Sequence, residues 1–130
     1  MLPEFVFYDI ETSKGSCHKA EIVELAAVYK NQKFRPYMLP TGPIDLHCKK
    51  IHGVEKVDNN LFKNKVKVGP VLGQKEGLEK FLNFLKRIEK GNGVYLVSHG
   101  ISTNDDKTLM ECLEREGLIN SDICLQCELK

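Results

Sequence analysis

The strongest apolar run in the chain, Phe5–Tyr8 followed by Ile10, predicts a central β-strand covered on both faces, because so few of its positions are polar. Segment 21–30, rich in Ile, Val and Ala, predicts a second strand. Segment 32–40 predicts a third strand, antiparallel to the second and joined to it by a turn at Asn31. These three strands would begin one sheet.

Further along, apolar residues at three- and four-residue spacing predict helices, and shorter apolar runs predict strands. The expected elements are a short helix over 44–51 capped by Gly53, a helix over 78–88, a strand over 94–98, a helix over 103–116 and a strand over 123–129. The basic stretch 55–71 lacks a clear period and predicts a long surface loop. The order predicts an α/β fold with a mixed sheet: three leading antiparallel strands, then helix, strand, helix and strand.

Composition sets the class of protein. With 130 residues, of which 42% are hydrophobic and 28% charged, the whole chain 1–130 is expected to form a single domain. No apolar run reaches the roughly 20 residues that cross a bilayer, and the acids that close the first strand argue against a secretory signal. Five cysteines, an odd number spread along the chain, favour reduced thiols. We therefore expect an intracellular protein with no membrane partner.

The net charge of +1 hides an uneven distribution. From Lys30 to Lys67, nine Lys and Arg residues stand against three acids, so this segment carries +6 and the rest of the chain −5. A basic region beside an acidic one suits a protein that holds phosphates near carboxylates. Two roles fit Lys63, Lys65 and Lys67 within it: lining a groove for a phosphate backbone, or keeping a surface loop soluble.

Two carboxylates close the first strand. Because side chains alternate along a strand, Asp9 and Glu11 point to the same side, about 7 Å apart. Buried charges without partners are very unfavourable, and a hard cation such as Mg²⁺, held by carboxylates, water and phosphate oxygens, provides such a partner. The alternative is a strand that ends at Tyr8 and leaves both acids in solvent.

Three segments then occur in a specific order: D-x-E-T at the end of an apolar strand over 5–12, E-I-V-E-L-A-A-V over 21–28, and I-H-G-V over 51–54. Together they resemble the DEDD-type 3′–5′ exonucleases of the histidine branch. The resemblance implies an RNase H-like fold and a domain that hydrolyses nucleotides from the 3′ ends of DNA or RNA. It also implies two bound Mg²⁺ or Mn²⁺ ions.

The resemblance further implies roles for individual residues. Asp9 and Glu11 match the family's catalytic metal ligands, and the backbone around Thr12 and Ser13 matches the part that lies near the terminal nucleotide. These four residues follow one another along the end of the first strand. They are therefore the main candidates for the catalytic and nucleotide-binding positions.

The family's second motif, a strand followed by H-N-x-x-F-D and a helix, resembles segment 95–109. The resemblance assigns His99 to nucleotide binding and Asp105 to catalysis as a third metal ligand, although Gly100 replaces the expected Asn. Asp106 competes with Asp105, because helical phase places both acids beside the buried stripe. An acid in the first turn of a helix also has a purely structural explanation, since it interacts favourably with the helix dipole.

The family's third motif, a helix with H-x-x-x-x-D that supplies a general base and a fourth carboxylate, has no counterpart after Asp105. We therefore expect a domain that is incomplete at its C-terminus. Three explanations fit: a piece of a longer exonuclease, a short form without catalysis that binds nucleic acid or a protein, or a site completed by a protein partner or a second copy.

A structural zinc site is the weaker alternative. Its candidate ligands are the scattered donors Cys17, His18, His47, Cys48, His52, Cys124 and Cys127. Only one C-x-x-C pair is present, without a matching second pair, so the soft donors do not form a recognisable zinc motif.

Overall fold

The computed structural model describes residues 2–15, 19–98, 104–118 and 125–128. Within them the elements are, in chain order, β1 (Glu4–Thr12), β2 (Ile22–Tyr29), β3 (Gln32–Phe34), β4 (Tyr37–Met38), α1 (Leu46–His52), β5 (Val54–Val57), β6 (Asn60–Lys63), β7 (Val66–Val68), β8 (Val71–Leu72), α2 (Gln74–Ile88), β9 (Val94–Ser98), α3 (Asn104–Arg115) and β10 (Leu125–Glu128). The helices and the last two strands lie within a few residues of the predicted positions.

Strand β1 lies in the middle of the larger sheet. It pairs in parallel with β9, which pairs in parallel with β10, and it pairs antiparallel with β2 on its other side. From β2 the sheet continues to β3 and β4, and β4 pairs in parallel with β8. The strand order β10-β9-β1-β2-β4-β8, with β3 also on β2, is a mixed sheet of the kind the sequence predicts.

One side of this sheet carries the main core. Val6, Tyr8 and Ile10 of β1 are buried there among the apolar residues of α2 and α3. The helices contribute Leu78, Phe81, Phe84, Leu85, Ile88, Leu109, Cys112 and Leu113, most of them at the helical spacing that the sequence shows. This side of the sheet, marked by Val6, Tyr8 and Ile10, is the covered face.

The other side of β1, marked by Phe5, Phe7 and Asp9, is the open face. Phe5 is 43% exposed and Phe7 57% exposed, and Asp9 is exposed as well. The prediction that β1 would be covered on both faces is therefore wrong. Large apolar residues occupy both sides of the strand, so the sequence does not show that one side is exposed. In the described part of the chain, no element covers Phe5 and Phe7 completely.

The prediction of a long loop over 55–71 is also wrong. Most of this stretch forms a second, antiparallel sheet of three short strands, β5, β6 and β7. Two-residue turns connect the strands, and Asn64 and Lys65 in the second turn both have positive φ, 51° and 69°. Such backbone geometry suits tight hairpins, and Asn adopts it more readily than most residues.

A small second core holds this three-stranded sheet against the larger one. Leu61 of β6 packs with Val54 of β5 and Val23 of β2, and all three are fully buried. Strands of three or four residues contain too few alternations to show a period of two. The sequence pattern is therefore weak even though the fold is regular there.

Local chemistry explains where other elements end. Pro36, which lacks an N–H donor, separates β3 from β4 within the predicted third strand. Helix α1 ends at Gly53, whose φ of 76° gives the predicted left-handed cap. Gly77 lies inside α2 because Met38 packs against it so closely that a Cβ there would lie 2.7 Å from the Met38 side chain. No helix in the described part of the chain is long and apolar enough to cross a membrane.

Candidate carboxylate site

The end of β1 extends beyond its neighbour β9. The β1–β9 pairing stops at Tyr8 and Ser98, whereas the β1–β2 pairing continues to Thr12. Among the described residues, Asp9 and Glu11 therefore lie on a part of β1 that pairs with β2 only. Because β1 runs to Thr12, the strand does not end before the acids; Asp9 is exposed and Glu11 is half-buried.

Asp105 comes from the first turn of α3 to the side of β1 that β9 leaves free. Its Oδ2 accepts a hydrogen bond of 3.4 Å from the backbone N–H of Ile10. Its carboxyl group also lies close enough to that of Asp9 for the two charges to interact. Burial, together with the nearby acids Asp9 and Glu11, raises the pKa of Asp105 to about 6, although the hydrogen bond from Ile10 opposes this change.

Asp106, the competing acid, lies on the other side of β1. It is 7% exposed and accepts a hydrogen bond from the Tyr8 hydroxyl, on the covered face. Because Tyr8 and Asp9 point to opposite sides of the strand, only one of the two consecutive acids of α3 reaches Asp9. The structure places Asp105 there, whereas Asp106 belongs to the core.

Glu11 has a further acid beside it. Its partner across β1 and β2 is Glu24, which is 4% exposed. Two cations neutralise Glu24: Arg35 Nε lies 2.9 Å and Lys63 Nζ 3.2 Å from its carboxylate oxygens. Burial, Asp9 and Glu24 raise the pKa of Glu11, whereas the Lys63 ammonium acts to lower it.

No pattern in the sequence predicts this ion-paired group. Glu24 is part of the motif over 21–28, but no pattern indicates that it is buried or names its partners. Lys63, for which the sequence allows a phosphate contact or a solvent-exposed position, has a carboxylate partner in the structure. Its position on β6 depends on the hairpins that the sequence pattern did not predict.

A cleft of about 360 Å³ lies between the end of β1, helix α1 and the start of α3. Its lining includes Glu11, Thr12, His47, Ile51, His52 and Asp105. His52 fixes one wall, because its Nδ1 accepts the N–H of Val54 at 3.1 Å and its Nε2 then donates to the backbone oxygen of Thr12 at 2.9 Å. The cleft therefore combines acids on one side with apolar and imidazole groups on the other.

The two nucleotide-binding candidates on β1 and after it lie in different surroundings. Thr12 lines the cleft, and its hydroxyl donates to the backbone oxygen of Lys14 at 2.7 Å. Ser13 is 1% exposed, and its hydroxyl accepts the N–H of Glu21 at 3.1 Å. Ser13 thus serves the local fold, and its side chain is not part of the cleft lining. The third candidate, His99, lies outside the described residues.

The acids fit a hard divalent cation in donor type. Asp9 and Asp105 bring oxygen ligands together from two separate elements, and Mg²⁺ is commonly held by one or two carboxylates with water and phosphate oxygens. Among the described residues, no three His, Cys, Asp or Glu side chains are grouped to hold an ion by themselves. The described residues therefore contain no zinc-binding group of this kind either. Three candidate zinc ligands, Cys17, His18 and Cys124, lie outside the described residues.

Comparison with known proteins adds a family and a fold. The profile of the Exuperantia RNase H-like domain matches residues 4–123. No curated protein matches the chain. Among solved structures, the zinc-bound form of the E. coli exonuclease I complex with single-stranded DNA superposes with a TM-score of 0.71 at 9% identity.

That comparison covers 98% of this chain and 28% of the exonuclease I chain. A further exonuclease I structure gives a TM-score of 0.69 at 11% identity over the same shares. The E. coli exonuclease I complex with a dT13 oligonucleotide gives 0.64 at 12% identity, covering 89% of this chain and 24% of that one. The predicted α/β fold of the RNase H-like type is confirmed, and the chain spans between a quarter and a third of the length of the first of these structures.

Proposed function

Because the chain belongs to the Exuperantia RNase H-like domain family, we propose that its carboxylate cleft binds the 3′ end of a nucleic-acid strand through a divalent cation. In the complete site, this arrangement would hydrolyse the terminal phosphodiester as a 3′–5′ exonuclease does. The observation that carries the proposal is the proximity of two carboxylates from separate elements: Asp105 of α3 lines the cleft, and Asp9 of β1 lies close enough for the two charges to interact.

In this proposal each residue has a definite task. Asp9 and Asp105 hold Mg²⁺ or Mn²⁺, and Glu11, half-buried on the same side of β1, is the third candidate ligand. The cation supplies positive charge for a phosphate group that the acids alone would repel. Thr12 and His52 shape the wall of the cleft, and its volume lies within the range of small-molecule sites.

Thermal unfolding with and without metal tests the cation site. We expect Mg²⁺ or Mn²⁺ near neutral pH to raise the melting temperature of the wild type, because a ligand that binds only the folded state stabilises it. Asp9→Asn should abolish the increase. Asp58→Asn is the matched control, since Asp58 is an exposed acid in a turn of the three-stranded sheet, and it should keep the increase. A wild type that shows no metal-dependent change would remove the cation from the proposal.

Digestion of labelled oligonucleotides tests hydrolysis separately. An active domain should produce ladders that shorten from the 3′ end of a 5′-labelled strand when Mg²⁺ or Mn²⁺ is present. Asp9→Asn should stop the shortening, and Asp58→Asn should not. Products that shorten from the 5′ end would contradict the stated direction.

A second function is favoured by a different observation. The only described histidines that line the cleft are His47 and His52, and both ring nitrogens of His52 are already engaged by the backbone. Among the described residues this leaves exposed His47 as the imidazole that could accept a proton there, and a domain in which it does not act as general base would bind nucleic acid without hydrolysing it. Metal-dependent binding of an oligonucleotide that stays intact would identify this non-catalytic form.

A further inference from the structure

The open face carries aromatic rings on the most central strand of the fold. Phe5 is 43% and Phe7 57% exposed, although β1 is paired on both sides. Tyr95, the partner of Phe5 on β9, packs edge-to-face against it with ring centroids 5.4 Å apart. Single exposed apolar residues are common, but a contiguous group on a rigid sheet indicates a binding surface.

Cations lie on the same face, beside these rings. The cross-strand partner of Phe7 is Val28, and the partner of Val28 is Lys33, so the three side chains form one row across β1, β2 and β3. Two strand spacings separate Lys33 from Phe7, about 10 Å. Arg35, just after Lys33 in the chain, keeps 66% of its side chain exposed while it pairs with Glu24.

The same row leads to the carboxylate site. Phe5, Phe7 and Asp9 are successive side chains on one side of β1, each about 7 Å from the next. A strand lying along the open face would therefore meet two aromatic rings and then Asp9, which lies close to Asp105 of the cleft lining. The aromatic surface and the carboxylate site are continuous.

From this arrangement we propose that the open face binds single-stranded nucleic acid, with bases stacked on Phe7 and Phe5 and the phosphate backbone beside Lys33. The inference rests on the proposed function, because it extends the cleft that would hold the strand end. Stacking requires unpaired bases, so the partner is single-stranded. Base stacking on an aromatic side chain contributes about 1–3 kcal/mol per base.

The chemistry of the face favours nucleic acid over a protein partner. The most exposed hydrophobic residues on it are the aromatic rings of Phe7 and Phe5, and a lysine stands in the same row. Aromatic rings occur in both kinds of interface, but lysine is depleted in protein–protein interfaces, whereas rings combined with cations are the pattern of single-strand binding surfaces. The alternative partners are an apolar protein surface and a second copy of the chain, and the experiment below distinguishes them from nucleic acid.

Fluorescence anisotropy with fluorescein-labelled oligo(dT) and oligo(U), in EDTA, measures this binding without any contribution from a metal. We expect Phe7→Leu, which keeps apolar area but removes the ring, to weaken binding about 5- to 150-fold. Phe7→Tyr keeps the ring and should bind within about twofold of wild type. Because Phe7 is exposed, both variants should melt as the wild type does.

The lysine is tested by salt dependence. Lys33→Gln should lower the slope of log affinity against log salt by about 0.7, the value for one phosphate contact with a single strand. Lys86→Gln is the control, because Lys86 is an exposed lysine on α2, which packs on the covered face. It should leave the slope unchanged, and duplex DNA should compete poorly for the site.

Two results would overturn the proposal. One is equal binding by wild type and Phe7→Leu. The other is a wild-type dimer, seen by light scattering, that Phe7→Leu dissociates while oligonucleotide binding is unchanged. The proposed function can fail separately, since the metal-dependent melting of Asp9→Asn contains no oligonucleotide and the binding assay contains no metal.

Discussion

The two sides of β1 have opposite surroundings, although they come from one strand of nine residues. Tyr8 and Val6 are at most 2% exposed beneath the helices, whereas Phe7 between them is 57% exposed. Burial stabilises an apolar side chain by about 25 cal/mol per Å² removed from water, and an exposed ring does not gain this. The covered face therefore contributes most of this stabilisation, whereas the exposed apolar area of the open face could be buried only by a binding partner.

Each face also contains a buried carboxylate, and the two are stabilised in different ways. Asp106, at the covered face, accepts the hydroxyl of Tyr8 on one oxygen, while its other oxygen is buried without a hydrogen-bond partner among the described residues. Glu24, on the open face, is neutralised by two cations, Arg35 and Lys63. A hydrogen bond within the core is insensitive to salt, whereas ion pairs at a solvent boundary are screened by it. Substitutions of the aromatic rings and of the charged residues on the two faces test this difference.

The largest expected effect concerns aromatic residues on the two sides of the sheet. Phe81→Ala removes a fully buried ring from the covered face and should lower the free energy of unfolding by about 3–5 kcal/mol. Phe7→Ala removes a ring that is mostly in solvent and should change it by no more than about 0.5 kcal/mol. Urea unfolding of both variants measures the difference. Equal losses would mean that the open face is packed in solution.

The sequence was sufficient where a local signal and the tertiary structure agree. The strand at 94–98, the amphipathic helix α2 and the cap at Gly53 all follow from patterns within a few residues. The same holds for the direction of Asp9 and Glu11, because alternation along β1 fixes it. Each of these features needs no knowledge of which other element lies nearby.

The sequence was insufficient where a distant residue decides. Asp105 and Asp106 are adjacent on α3, and only the position of Tyr8, nearly a hundred residues earlier, separates their surroundings. The partners of Glu24 come from β6 and from the residue after β3, and no pattern links those segments to β2. The exposure of Phe7 likewise depends on which side of the sheet the helices cover.

The next effect concerns the buried acid of the covered face. Tyr8→Phe removes the hydroxyl that donates to Asp106 and should lower the free energy of unfolding by about 1–3 kcal/mol, because a buried acceptor loses this donor. Asp106→Asn is the matched control, since the amide oxygen still accepts from Tyr8. Denaturant unfolding would contradict this assignment if Tyr8→Phe were as stable as the wild type.

A third prediction uses the pH dependence of stability. The pKa of Asp105 rises from 3.8 to about 6 on folding, so the folded protein binds this proton more tightly than the unfolded chain does. The stabilising contribution is present at low pH and is lost as pH rises through about 6. In metal-free buffer the melting temperature of the wild type should therefore fall between pH 3.8 and about 6. Asp105→Asn should make this fall smaller, and Asp58→Asn should leave it unchanged. An unchanged profile for Asp105→Asn would assign the titration to another group.

The smallest effect concerns the ion pairs of the open face. Arg35→Gln removes one cation from Glu24 but leaves Lys63, and the Arg35 side chain is 66% exposed, so we expect a loss of only about 0.2–1 kcal/mol. High salt should reduce this loss further, because it already screens the pair in the wild type. Lys80→Gln is the control, since the Lys80–Glu76 pair on α2 is long, 3.8 Å, and more than half exposed at both ends. A loss of several kcal/mol for Arg35→Gln that salt does not change would mean that Glu24 is as isolated from solvent as Asp106, and the two faces would then hold their charges in the same way.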